Sequence, residues 1–136
     1  EDFTAIAARL IPTTDTPGAT EAGVIRFYDR AWGDEMAWAL KDMRGFLQTL
    51  NESSPQRFAL LDADAQDATL REHEDDGRFQ LLWLVTMFGF FAMEKHGGNA
   101  NHVSWDLIGF DGHQGAWAPP FGYYDAEYRK ESGNDE

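Results

Sequence analysis

The chain has 136 residues and a formal net charge of −13, long enough for one domain with a sizeable core. So acidic a surface repels phosphate backbones and anionic lipid, which argues against nucleic acid and direct membrane insertion; the charge either serves solubility or complements a basic partner. There is no cysteine, which excludes disulfides, thiol catalysis, Cys-ligated zinc, iron–sulfur clusters and covalently attached haem c within this chain.

Asp2 to Leu10 reads as a short helix with Phe3, Ile6, Ala7 and Leu10 on one face, ended by Pro12. Thr13 to Gly18 is a polar turn. Thr20 is the expected N-cap of a second helix, with a stripe of Val24, Ile25, Tyr28, Ala31 and Trp32 and a stop at Gly33. Asp34 is expected to cap a third, Glu35 to Leu50, whose stripe is Met36, Leu40, Met43, Leu47 and Leu50. Gly45 inside it costs about 1 kcal/mol against Ala, which suggests that it permits a close contact. Ser54-Pro55 signals a short fourth helix anchored by Phe58 and Leu61. Asp62 or Asp64 opens a fifth, weakly amphipathic, to about Glu74. Its acids read as a solvated face without the spacing of a calcium loop.

Residues 78–94 form the most apolar helix, with Phe79, Leu82, Trp83, Val85, Phe88 and Phe91 spread all round it. A helix without a polar face is expected to be buried on all sides. The favoured reading is that the other helices surround it; the second is that another chain covers part of it. The run is too short to span a bilayer, which takes about 20 residues.

The stretch from Lys95 to Gly112 organises the rest. Gly97, Gly98 and Asn99 allow positive φ at three successive positions, and a sharp reversal at the end of the apolar helix is the simplest use of that freedom. Gly109 and Gly112 supply further turns. No regular helix is expected here, and a short two-stranded pairing fits within Val103 to Phe110. Beyond it, Pro119-Pro120 excludes helix and central strand. Trp117, Phe121, Tyr123, Tyr124 and Tyr128 are large rings that need something to pack on, either the domain itself or a partner. The polar end, 129–136, reads as a disordered tail. The expected fold is therefore all-α: a single domain over 1–128 with five to six helices, a buried apolar helix near 78–94 and a long irregular Gly/aromatic-rich C-terminal third.

Chemistry is poorly supported. His96, His102 and His113 lie near Asp106 and Asp111, but no pair has a helix-face ligand spacing, and Gly-rich loops make poor ligand scaffolds. Ser104 is near His102, yet no G-x-S-x-G elbow exists. Neither a G-x-G-x-x-G after a strand nor a P-loop is present. No catalytic, cofactor-binding or metal residue is assigned.

Gly97-Gly98-Asn99, then Trp105, then Leu107-Ile108-Gly109-Phe110 and Gly112 together resemble the signature of the gluconate 2-dehydrogenase subunit 3 family. The run from Leu10 to Ile25, LIPTTDTPGATEAGVI, resembles that family's other recurring segment. The resemblance extends to about Asp125. It implies a non-catalytic small subunit of a bacterial complex. The oxidation of a sugar, sugar acid or polyol would belong to a larger FAD-dependent subunit of the glucose–methanol–choline oxidoreductase type. A multi-haem cytochrome c subunit often completes such complexes, so haem c is expected in a third chain. The family also implies twin-arginine export and a periplasmic or partner-anchored location. No such signal is visible from Glu1 onward, so either it was removed or this member differs.

On this reading Gly97, Gly98, Asn99, Gly109 and Gly112 are architectural. Trp105, Phe110, Trp117, Phe121, Tyr123 and Tyr124 are the candidate partner contacts, although Trp105 fits a core plug equally well. The alternatives are a free-standing carbohydrate-binding module gripping sugar with these rings, and a small metal-dependent enzyme using the His96–His113 region.

Overall fold

The computed structural model describes residues 1–110. Asp111, Gly112, His113, Trp117, Phe121, Tyr123 and Tyr124 lie outside the described residues, as does the expected boundary at 128. The apolar stripes fold into six helices: α1 (Asp2–Leu10), α2 (Val24–Gly33), α3 (Leu40–Glu52), α4 (Ala63–Arg71), α5 (Gly77–Phe91) and α6 (Val103–Ile108). Single 3₁₀ turns stand at Ala37–Ala39, Phe58–Leu60, Glu94–His96 and Ala100–His102. No strand occurs among the described residues, so the fold is all-α.

α5 is the axis. It packs along α2 and also touches α1, α3 and α6. Ile6, Val24, Tyr28, Met43, Phe46, Leu50, Phe58, Leu82 and Val85 are fully buried between these helices. Inside that core the Tyr28 hydroxyl meets the Thr86 hydroxyl, joining α2 to α5. Thr86 donates its proton to the Leu82 carbonyl at 2.7 Å, which makes Tyr28 the donor to Thr86. Burial pushes the Tyr28 phenol well above its ordinary pKa, so it stays a donor at any working pH.

Several local signals are overridden by contacts made elsewhere. Thr20 does not cap α2. Glu21 instead accepts from Thr13 Oγ1 at 2.6 Å and from the Gly18 N–H at 2.9 Å, which pins residues 13–21 as a loop. Gly23, at φ 67°, delays the helix to Val24. Asp34 does not cap α3 either. The Met36 N–H is drawn back to the Ala31 carbonyl at 2.7 Å, and the chain makes a 3₁₀ turn before α3 starts at Leu40. Ser54-Pro55 starts no α-helix: Asn51 Oδ1 takes the Phe58 N–H at 2.7 Å, and only the 3₁₀ turn Phe58–Leu60 forms. Asp62 does cap α4, accepting from the Ala65 N–H, and Asp76 caps α5, accepting from the Arg78 N–H. Gly45 permits no close contact, since a Cβ there would meet nothing nearer than Arg78 at 3.8 Å.

The Gly-Gly-Asn stretch does more than reverse the chain. Positive φ occurs at Gly97 (103°) and Asn99 (47°) and not at Gly98. Gly98 is required by proximity: a Cβ there would lie 1.9 Å from the Gly89 carbonyl oxygen of α5. A Cβ on Gly97 would lie 2.9 Å from the Arg26 carbonyl oxygen of α2. Asn99 is fully buried, and its Oδ1 accepts from both the N–H and the hydroxyl of Ser104. That side chain takes an N–H in the first turn of α6, a helix that forms where no regular helix was expected and where a short strand pairing also fitted. Gly109, at φ 68°, ends it.

Two ion pairs fasten the outer elements. Arg9 holds Asp67 through two bonds of 2.6 and 2.7 Å, tying α1 to α4, and Arg57 holds the Asp2 carboxylate at 2.9 Å. The hydrogen bond from Arg9 lowers the Asp67 pKa below the ordinary carboxylate value.

Two sets of outcomes follow. Gly98→Ala is expected to destabilise the domain by about 3 kcal/mol or more, because a methyl group must displace backbone. Gly45→Ala is expected to stabilise it by about 0.5–1 kcal/mol. Chemical denaturation of the two variants side by side checks both signs. The Asp67 carboxylate is favoured in the folded state, so its contribution is present above about pH 4 and is lost as pH falls through the lowered folded value. Asp67→Asn should therefore cost about 1 kcal/mol or less at neutral pH. That difference should shrink towards pH 2; equal losses at both pH values would sink the assignment.

Candidate interaction surface

The sequence of α5, GRFQLLWLVTMFGFF, has no polar face, yet the described residues cover only one side of it. Leu82, Val85, Thr86, Gly89 and Phe90 are buried, at the i, i+3, i+4, i+7, i+8 positions of an inward stripe. The opposite side carries Leu84, Phe88 and Phe91, with Phe88 57% exposed, and Trp83 is exposed on its flank. The expectation that the other helices surround α5 is thus corrected: α2 needs only the side where Gly89 is small, and a Cβ on Gly89 would come within 2.9 Å of Phe27. An exposed row of large apolar side chains on one helix is uncommon on a protein that works alone.

α6 extends the apolar region. The Trp105 indole N–H donates to the Phe91 carbonyl at the end of α5, at 3.0 Å. One face of the indole stacks on the His102 ring, 8° from parallel, and Phe110 meets it edge-on, 5.1 Å away. Trp105 and Phe110 are both half-buried, so Trp105 is neither a core plug nor a fully offered ring. The exposed apolar members of α6 are Leu107 and Ile108.

A groove of about 860 Å³ lies where α2 meets the end of α5. Phe27, Ala31, Met36, Phe88 and Phe91 supply its apolar lining, and Asp29, Asp34 and Glu35 stand at its edge. Phe88 and Phe91 belong to the apolar helix that, on the second reading of the sequence, another chain covers in part, whereas the α2 side of the groove was not anticipated. The signal was there in the missing polar face of α5, but nothing local told which side the core would take.

Ser104 is fully buried, and its hydroxyl is engaged by Asn99, not by His102. His102 Nε2 lies 3.7 Å from Glu94 Oε2, and Asp106 is exposed. Among the described residues no three His, Asp or Glu side chains converge to hold a metal ion, and no helix is long and apolar enough to cross a membrane.

The two segments singled out for their resemblance touch. The Ala100 N–H, next to the Gly-Gly-Asn turn, donates to the Ala22 carbonyl at 2.9 Å. No curated protein and no solved structure matches the chain. The family described as gluconate 2-dehydrogenase subunit 3 matches it over residues 3–112. The chain belongs to that family of dehydrogenase subunits.

Proposed function

We propose that this chain is a non-catalytic subunit that binds and stabilises a larger FAD-dependent dehydrogenase acting on a sugar, sugar acid or polyol. The observation that carries the reading is the uncovered apolar side of α5, Leu84, Phe88 and Phe91 with Trp83 on its flank, in a chain of this family. An interface core of that kind, rimmed by acidic side chains, suits a permanent partner. The flavin is assigned to the partner, because this chain has no dinucleotide fingerprint in its sequence and no parallel sheet among its described residues. Trp105 and Phe110 join the contact surface, and on sequence grounds so do Trp117, Phe121, Tyr123 and Tyr124. Haem c is assigned to a third, cytochrome subunit. Escort of the folded flavoprotein by twin-arginine export, and a periplasmic site of action, complete the proposal.

Affinity purification of the chain at native level from its source should co-elute a larger protein with flavin absorbance in equal amount. Expression of that flavoprotein without this chain should lower its soluble yield several-fold. A lone colourless protein that saturates with a sugar would instead establish the carbohydrate-binding reading.

A further inference from the structure

The groove between α2 and the end of α5 combines two features that call for one kind of occupant. Its lining is apolar, from Phe27, Ala31, Met36, Phe88 and Phe91. Leu84 continues the row, since Leu84, Phe88 and Phe91 fall at i, i+4 and i+7 along about 10 Å of helix. Its edge is anionic. Asp29, Asp34 and Glu35 are exposed, and none of them is in an ion pair among the described residues. Arg30 and His96 also line the groove, and the Arg30 guanidinium donates to the Lys95 carbonyl, so three carboxylates face one guanidinium there. Three other arginines, Arg9, Arg57 and Arg78, hold carboxylates elsewhere.

We propose that this groove seats a segment of the larger dehydrogenase subunit that presents apolar side chains flanked by Lys or Arg. The inference rests on the subunit reading above and names the place and chemistry of the contact. Charge selects this occupant over two others. A second copy of the chain would bring another −13 to the same edge. The chain's own C-terminal segment is also a poor match, because Asp111, Asp125, Glu127, Glu131, Asp135 and Glu136 outnumber Arg129 and Lys130. A cationic flank gains from all three edge carboxylates, while the apolar residues cover Phe88 and Phe91.

The test uses the full chain and the co-purified larger subunit, with affinity and association rate measured at low and physiological ionic strength. Phe88→Ala should weaken the complex roughly thirtyfold. Its own thermal unfolding should be unchanged, since Phe88 stands outside the core. The triple variant Asp29→Asn, Asp34→Asn, Glu35→Gln should associate roughly tenfold more slowly at low salt and lose most of its salt dependence. A control with the same charge change on the far side, Glu72→Gln, Glu74→Gln, Asp75→Asn, should bind nearly as the parent does. Parent-like binding by both groove variants would overturn the inference and leave the subunit reading standing. Equal losses in the two charge variants would also overturn it, by showing an effect of net charge alone. Self-association that the groove variants abolish would assign the surface to a second copy. No complex with the parent chain would remove both readings together.

Discussion

The approach of Gly98 to the Gly89 carbonyl is the contact on which the rest of the architecture depends. At that distance only hydrogen fits where a Cβ would stand. The chain leaving α5 therefore folds back against α5, on the side where Gly89 faces inward, and Gly97 rests on the backbone of α2 at the same point. Asn99 then takes the Ser104 N–H in the first turn of α6, and Ala100 reaches across to Ala22. One short stretch thus joins the N-terminal loop, α2, α5 and α6. Because the return path runs on the inward side, no described element passes over Leu84, Phe88 and Phe91. The same constraint that closes the core leaves the outer side of α5 open.

Electrostatics reinforce that division. With 24 acidic and 11 basic side chains, most carboxylates cannot find a cation within the chain. Several of the arginines present are committed to architecture: Arg9 to α4, Arg57 to the start of α1, Arg78 to the cap of α5. Each pair is partly exposed and contributes modestly to stability. Their larger consequence is that the surface elsewhere is left negative, including the edge of the α2–α5 groove. A long-range field of one sign steers association and resists pairing with like chains.

Much of the fold was legible in the sequence, for identifiable reasons. α1 has a local stripe and a proline just past its end, and its predicted span agrees with the structure. Asp62 opens α4 as a bonded cap. The failures arose where a distant group competed for the same backbone. Ser54-Pro55 is a good local start signal, but Asn51 takes the Phe58 N–H. Thr20 is a good cap residue, but Glu21 is occupied by the 13–18 loop. The helix at 103–108 follows Asn101 and His102 at positive φ, a region these residue types enter more readily than most, but nothing local says that a helix resumes after them. Phe46 lies just off the stripe of Met36, Leu40, Met43, Leu47 and Leu50, yet it is fully buried. The candidate surface was half legible: α5 plainly had one apolar side too many, but the choice of side was made by Gly89 and Phe27.

That choice explains the distribution of residues on α5. Its inward stripe includes small or polar members, Thr86 and Gly89, where a self-contained core would be expected to place bulk. Its outward side carries Phe88 and Phe91, with Trp83 on the flank. Thr86 is needed inside to receive Tyr28, and Gly89 is needed to admit Phe27 and Gly98. Burial of a large apolar side chain stabilises by about 1.5–3 kcal/mol. A helix serving this domain alone would gain by placing its largest rings inward. Keeping them outward, beside an anionic groove, forgoes that gain in the isolated chain and recovers it when another surface covers them. On the proposed contact, the apolar excess of α5 is divided between two cores, one inside the domain and one shared with a partner.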